Sequence, residues 1–151
     1  MRRKELAKMI DHTLLDPSAS RDRVERLCEE AKNYDVYAVC VNPTWVPLAV
    51  NLLQGSDVKV CSTVGFPLGA SLTEVKAFET QTVTSLGAAE VDMVINIGAL
   101  KSQDLPSVRE DIMKVVEASK GAPVKVIIET PYLSQEEKVQ ACRLAQEAGA
   151  A

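Results

Sequence analysis

Two charged residues that interrupt apolar runs are the best placed in this chain to do chemistry: Asp92 in EVDMVINIG and Lys125 in VKVIIET. A carboxylate or an ammonium in a buried strand is costly unless it is paired or used. Side chains alternate along a strand, so Asp92 shares a face with Val94 and Asn96, and Lys125 with Ile127 and Glu129. From adjacent strands the acid and the amine can face each other. Two readings stay open on these residues alone. One is a structural ion pair within the sheet, or a side chain that snorkels out at a strand end. The other is a lysine whose pKa is lowered by desolvation, giving a neutral amine suited to carbonyl chemistry.

Asp11 is the third charged residue of this kind, followed by His12 and Thr13. His12 is the single histidine, and no serine or cysteine is spaced to form a dyad with it, so it reads as a satisfied strand-end histidine. Cys40, in AVCVNP, reads as a small buried hydrophobe or as a residue lining a site at a strand's C-terminal end. The four cysteines (Cys28, Cys40, Cys61, Cys142) contain no C-x-x-C pair, and their spacing to His12 fits no zinc motif, so no metal is expected. Three of them fall in apolar segments, as reduced thiols of a cytoplasmic protein do. The loop Gly65-Phe66-Pro67-Leu68-Gly69 lacks G-x-G-x-x-G and G-K-[ST], so no nucleotide-phosphate cradle is expected. Trp45, Phe66 and Phe78 are expected to pack between helices and sheet.

These residues need a frame. The 151 residues are 46% hydrophobic, 25% charged and 4% aromatic, with a net charge of -4, a balance that fits a globular chain and argues against nucleic-acid or membrane-surface partners. The start, MRRKELAKMI, is basic but broken by Glu5 and Lys8 before any signal-length apolar run, and no stretch approaches a membrane span. Valine- and isoleucine-rich runs at 36–41, 58–64, 91–97 and 124–129 read as strands buried on both faces, as in a parallel sheet. Met9 to Thr13 is a shorter, mixed first strand. Between them run helical stripes: Val24, Leu27, Cys28 and Ala31; Leu105, Val108, Ile112 and Val115; Ala141, Leu144, Ala145 and Ala148. Ser71 with Glu74 and Ser134 with Glu137 have the form of capping boxes, Asn42-Pro43 that of a helix start, and Gly87 and Gly149 that of helix stops.

Strict βα alternation predicts an α/β protein with parallel strands, either an open doubly wound sheet or part of a (βα)8 barrel. Five units complete the first, whereas a barrel usually takes about 250 residues, so length alone favours the open sheet. Within that class a phosphoacceptor receiver domain needs an aspartate at the end of strand three, where this chain has Ser62-Thr63-Val64-Gly65.

IDHTLL at 10–15, AVCVNP at 38–43, STVGFPLG at 62–69, EVDMVINIGAL at 90–100 and VKVIIETPYL at 124–133 closely resemble, in the same order, the motifs of deoxyribose-phosphate aldolase. The resemblance runs to the last residue and implies a (βα)8 TIM-barrel fold, which reverses the length-based preference. It also implies a class I, metal- and cofactor-independent lyase that reversibly cleaves 2-deoxyribose 5-phosphate to glyceraldehyde 3-phosphate and acetaldehyde through a lysine Schiff base. Carried over, Asp92 matches the strand-four aspartate that relays protons, and Lys125 the strand-five lysine at the edge of the site. Asp11 and Thr13 match the strand-one polar pair, and Cys40 a cysteine near the substrate aldehyde.

Two local departures, Asp16 for a usual lysine and Pro131 for a usual glycine, read as loop variation. The Lys-Thr-Ser-Thr-Gly motif of strand six, whose lysine forms the Schiff base, belongs beyond Ala151, as do the strand-seven lysine and the phosphate-gripping loops. Residues 1–151 are therefore expected to form one partial barrel domain without units six to eight. Its apolar inner face and open edges at strands one and five are expected to be covered in a homo-oligomer. Three functional readings follow: an aldolase whose remaining units lie elsewhere in the gene product, a short aldolase using Lys125 as its nucleophile, and a non-catalytic assembly module.

Overall fold

The computed structural model describes residues 3–151, so the first two residues of the basic N-terminal stretch lie outside it. Among the described residues, a short helix α1 (Arg3–Ala7) precedes β1 (Asp11–Leu14), α2 (Arg21–Tyr34), β2 (Ala38–Val41), a 3-10 turn (Pro43–Trp45) and α3 (Val46–Leu52). β3 (Lys59–Val64), α4 (Thr73–Ser85), β4 (Glu90–Val94), α5 (Ile97–Lys101) and α6 (Leu105–Ala118) follow. β5 (Val124–Ile127), a second 3-10 turn (Thr130–Tyr132) and α7 (Gln135–Glu147) complete the order.

The five strands are parallel and lie side by side in sequence order, β1-β2-β3-β4-β5. A doubly wound sheet reverses its strand order at a switch point, whereas a barrel adds each strand beside the last. The monotonic order therefore overturns the length-based preference and removes the receiver-like alternative. This is an incomplete (βα) barrel: β1 and β5 remain as edges.

The helices cover one face of the sheet, and that is where the main core sits. Val39, Val41, Val60, Val64, Val91, Met93 and Val124 point outward into it, and Val24, Leu27, Cys28 and Ala31 of α2 meet them from the helix side. Burying a Val or Leu side chain fully contributes roughly 1.5–3 kcal/mol, so this layer dominates the fold's stability. Val108, Ile112 and Val115 of α6 are likewise fully buried. The inner face carries only a small apolar cluster of Ala38, Cys40 and Cys61, packed against Leu15.

Helix ends follow local chemistry where no long-range contact competes. Ser134 and Glu137 form the expected capping box, the Glu137 N–H donating to Ser134 Oγ (3.2 Å) and the Ser134 N–H to Glu137 Oε2 (2.7 Å). Ser71 and Glu74 do not. α4 begins at Thr73 with Leu72 at the cap position and no side-chain cap, and the Thr73 hydroxyl donates to Asp111 of α6 (3.0 Å). Two strands also stop earlier than expected. β4 ends at Val94 because Asn96 caps α5, its Oδ1 accepting from the Ala99 N–H at 3.0 Å. β5 ends at Ile127, and Glu129 takes a left-handed conformation before the second 3-10 turn. Asn96 and Glu129 thus leave the strand faces assigned to them. Phe78 is 71% exposed on α4 rather than packed in the layers, while Trp45 does pack against the core.

The β3–α4 loop closes over the C-terminal end of β4. Gly69, at φ +66, donates its N–H to the Gly65 carbonyl (2.8 Å), and a Cβ there would lie 2.1 Å from the Ile95 carbonyl oxygen and 2.9 Å from a Val94 methyl. Gly121 also has positive φ, but a Cβ there meets nothing within 4 Å. Gly121→Ala is expected to cost only the roughly 1–2 kcal/mol of left-handed strain. Gly69→Ala adds a backbone clash and is expected to cost clearly more, by urea denaturation of the two variants side by side.

Candidate active site

Register decides which residues share the concave face. In a parallel sheet, in-register partners point to the same side, and here Thr13 pairs with Cys40, Cys40 with Cys61, Thr63 with Asp92 and Asp92 with Lys125. With Asp11 and Glu90, each two residues from one of these, they form one continuous surface inside the curve. His12, one position off, points the other way and is bound by Glu30 of α2, Nε2 to Oε2 at 2.8 Å.

Lys125 is the hub. Its Nζ contacts Asp11 Oδ2, lies 2.7 Å from Glu90 Oε1, and lies 3.3 Å from Asp92 Oδ1. Asp11 is on β1 and Lys125 on β5, so the sheet curls enough for side chains on its two edge strands to touch. The side chains of Glu90 and Asp92 are 8% and 15% exposed, that of Lys125 38%. Burial acts to discharge the amine, but hydrogen bonds to Asp11 and Glu90 and the field of Asp92 outweigh it, and its pKa is raised well above the ordinary lysine value. Of the two readings left open, the ion pair is present and the lowered pKa is not: desolvation acts as that reading supposed, but three carboxylates stand against it.

Cys40 is buried, and its Sγ lies 3.7 Å from Asp92 Oδ2, so the two oxygens of Asp92 are divided between an amine and a thiol. Cys61 lies alongside, its thiol pushed far up by the Cys40 thiol first and by burial second. Thr13 is exposed and turns its hydroxyl onto the Asp11 carbonyl (2.9 Å). The inner face is therefore charged at its centre, contrary to the expected apolar surface. The two loop departures have local explanations. Asp16 accepts from Ser18 and from Arg23 Nη1 (2.6 Å), and chiefly through Arg23 its pKa falls to about 2. Pro131 lies in the first turn of the 3-10 segment.

The description "DeoC/LacD family aldolase" belongs to the family model that matches residues 6–150. The chain is a member of that family. A deoxyribose-phosphate aldolase of Streptococcus sanguinis is 59% identical over 146 residues, covering 97% of this chain and 66% of its relative. One from Clostridium perfringens is 58% identical over 151 residues, covering 99% and 67%. Among solved structures, the deoxyribose phosphate aldolase of Aeropyrum pernix, described as a unique tetramer, superposes with a TM-score of 0.90 at 34% identity, covering 99% of this chain and 63% of that one. The chain spans about two thirds of the length of these DeoC/LacD relatives.

Asp11, Cys40, Asp92 and Lys125 come together as one cluster, with Thr13 at its rim. Sequence reasoning missed Glu90, although its i, i+2 relation to Asp92 carries the signal. It also missed Lys76, which is fully buried and donates to Asp111 Oδ2 (2.6 Å) and the Val94 carbonyl (3.0 Å). Lys76, Thr80 and Val83 form a helical stripe, hidden by two polar members. This pair ties α4 to α6 and holds the end of β4 behind Asp92.

Lys76→Met leaves Asp111 unpaired in the core and is expected to destabilise by about 3–5 kcal/mol, with much of that recovered in Lys76→Met/Asp111→Leu. Denaturant titration of both variants checks this. For Lys125, the folded pKa exceeds the unfolded one, so its contribution to stability is complete below about pH 10 and declines as pH rises through the folded value. Thermal melts from neutral to strongly alkaline pH are expected to show this decline in the parent and a flatter profile in Lys125→Gln.

Proposed function

We propose that this chain supplies the acid, amine and thiol side of a deoxyribose-phosphate aldolase site, acting on 2-deoxyribose 5-phosphate to give glyceraldehyde 3-phosphate and acetaldehyde. The observation that carries the reading is the concave cluster of Asp11, Glu90, Asp92 and Lys125 on a sheet belonging to an aldolase family. Near-60% identity to curated deoxyribose-phosphate aldolases over nearly the whole chain supports the substrate class.

In this reading Asp92 relays protons, with Lys125 fixing one carboxylate oxygen and leaving the other toward the substrate side near Cys40. A carboxylate positioned for proton transfer contributes typically 10²- to 10⁴-fold. Lys125 is an electrostatic partner rather than a nucleophile, since a held ammonium has no lone pair for attack on a carbonyl. Asp11 anchors it from the opposite edge, and Thr13 offers a hydroxyl at the rim. The Schiff-base lysine belongs to the sixth unit, and units six to eight correspond to the part of the relatives beyond this chain's span. A homo-oligomer covering the β1 and β5 edges fits the same picture. The cytoplasm suits four free cysteines, and no described helix is long and apolar enough to cross a membrane.

The test joins this chain to the C-terminal third of the Streptococcus sanguinis relative. Borohydride trapping with acetaldehyde is expected to label a lysine in the appended part and none at Lys125. The joined protein is expected to cleave 2-deoxyribose 5-phosphate, and Asp92→Asn to lower kcat by about 10²-fold or more. A borohydride adduct on Lys125, or an Asp92→Asn variant with unchanged kcat, contradicts the assignment.

A further inference from the structure

We infer that Cys40, Cys61 and Asp92 form a binding site for a thiophilic divalent metal ion of the zinc and cobalt class. The Sγ atoms of the two cysteines and a carboxylate oxygen of Asp92 all lie within 4.8 Å of one another. A tetrahedral ion with sulfur at about 2.3 Å and oxygen at about 2.0–2.2 Å needs donors about 3.5–3.8 Å apart. The Cys40 Sγ to Asp92 Oδ2 edge already measures 3.7 Å.

Three further observations support a cation here. Charge is unbalanced: Asp11, Glu90 and Asp92 face a single amine, an excess of two formal negative charges on a partly desolvated surface. Asp92 has acceptor capacity to spare: Oδ1 lies 3.3 Å from Lys125 Nζ as an ion pair but is buried without a hydrogen-bond partner among the described residues, while Oδ2 turns toward the thiols. Thr63 is fully buried on the same face, in register with Asp92, and its Oγ1 has no hydrogen-bond partner among the described residues. Two sulfurs and one oxygen select zinc-class ions over magnesium or calcium.

The spacing rules of sequence motifs do not detect such a site. Its ligands come from three neighbouring strands and are assembled by register, Cys40 opposite Cys61 and Thr63 opposite Asp92. On coordination each thiol releases its proton to solvent and the ion takes the two thiolates and the carboxylate, with water completing four ligands. No oxidant or reductant is involved. Occupancy would withdraw Asp92 from proton transfer and so inhibit the aldolase; that consequence rests on the proposed function, the site itself does not.

The test is titration of the reduced 151-residue chain with cobalt(II) alone in a non-chelating buffer, read by absorption. The expected result is a sulfur-to-cobalt charge-transfer band with tetrahedral d–d bands, saturating at one equivalent. Cys61→Ala and Asp92→Asn should each weaken binding by at least the roughly 10- to 100-fold that loss of an outer-sphere partner costs. Cys28→Ala and Cys142→Ser should leave the titration unchanged. Circular dichroism accompanies each variant, and if Cys61→Ala loses its native spectrum, Asp92→Asn and Cys40→Ser decide. Absence of the band in the parent, its persistence at full affinity in folded Cys61→Ala or Asp92→Asn, or its loss in Cys142→Ser overturns the site. A bound cobalt ion with no effect on the joined aldolase would leave the site standing and remove only the inhibition.

Discussion

An ammonium held by three carboxylates at the centre of a curved sheet is the constraint on which the rest of the site depends. Lys125 gathers Asp11 from β1, and Glu90 and Asp92 from β4, so the first and last strands of the chain meet at one nitrogen. Three carboxylates share the one amine, and the face stays partly open to water, which lowers the cost of the negative charge left over. The cluster sets the orientation of Asp92 and keeps the amine charged. Of the two roles that a buried lysine can play in carbonyl chemistry, nucleophile and electrostatic partner, the proposed function takes the second.

The sheet divides labour between its faces. Outward-pointing valines and Met93 meet the helices and carry the stability. Inward-pointing positions hold mostly small or polar residues, with Ala38, Cys40 and Cys61 as a small buried apolar cluster there. A substitution on the inner face therefore acts mainly on charge and chemistry, whereas one on the outer face acts on packing. The Lys76–Asp111 pair links the two, since it lies between helices yet grips the Val94 carbonyl two residues beyond Asp92.

Much of this was legible in the sequence, for physical reasons that apply residue by residue. Short valine- and isoleucine-rich runs bounded by turn residues read as strands, and the α2 stripe of Val24, Leu27, Cys28 and Ala31 is buried throughout. Alternation placed Asp92 and Lys125 on one face, and register then made them neighbours. What stayed hidden depends on contacts distant in sequence. Lysine pKa is set by partners from other strands, so desolvation alone gave the wrong sign for Lys125. α4 starts two residues after Ser71, which does not cap it, and Lys76 went unnoticed because its carboxylate partner lies on α6. Length alone pointed to the wrong architecture, since strand order is not written in composition.

The central claim is that Lys125 is a permanently charged partner for Asp92. Titration of the Lys125 side chain by NMR, with carbon-13 at Cε and assignment by Lys125→Gln, tests it most directly. The account predicts a midpoint above the ordinary lysine value of about 10.4, moving down when Asp11 or Glu90 is made neutral. A midpoint below that value in the unaltered protein would contradict it.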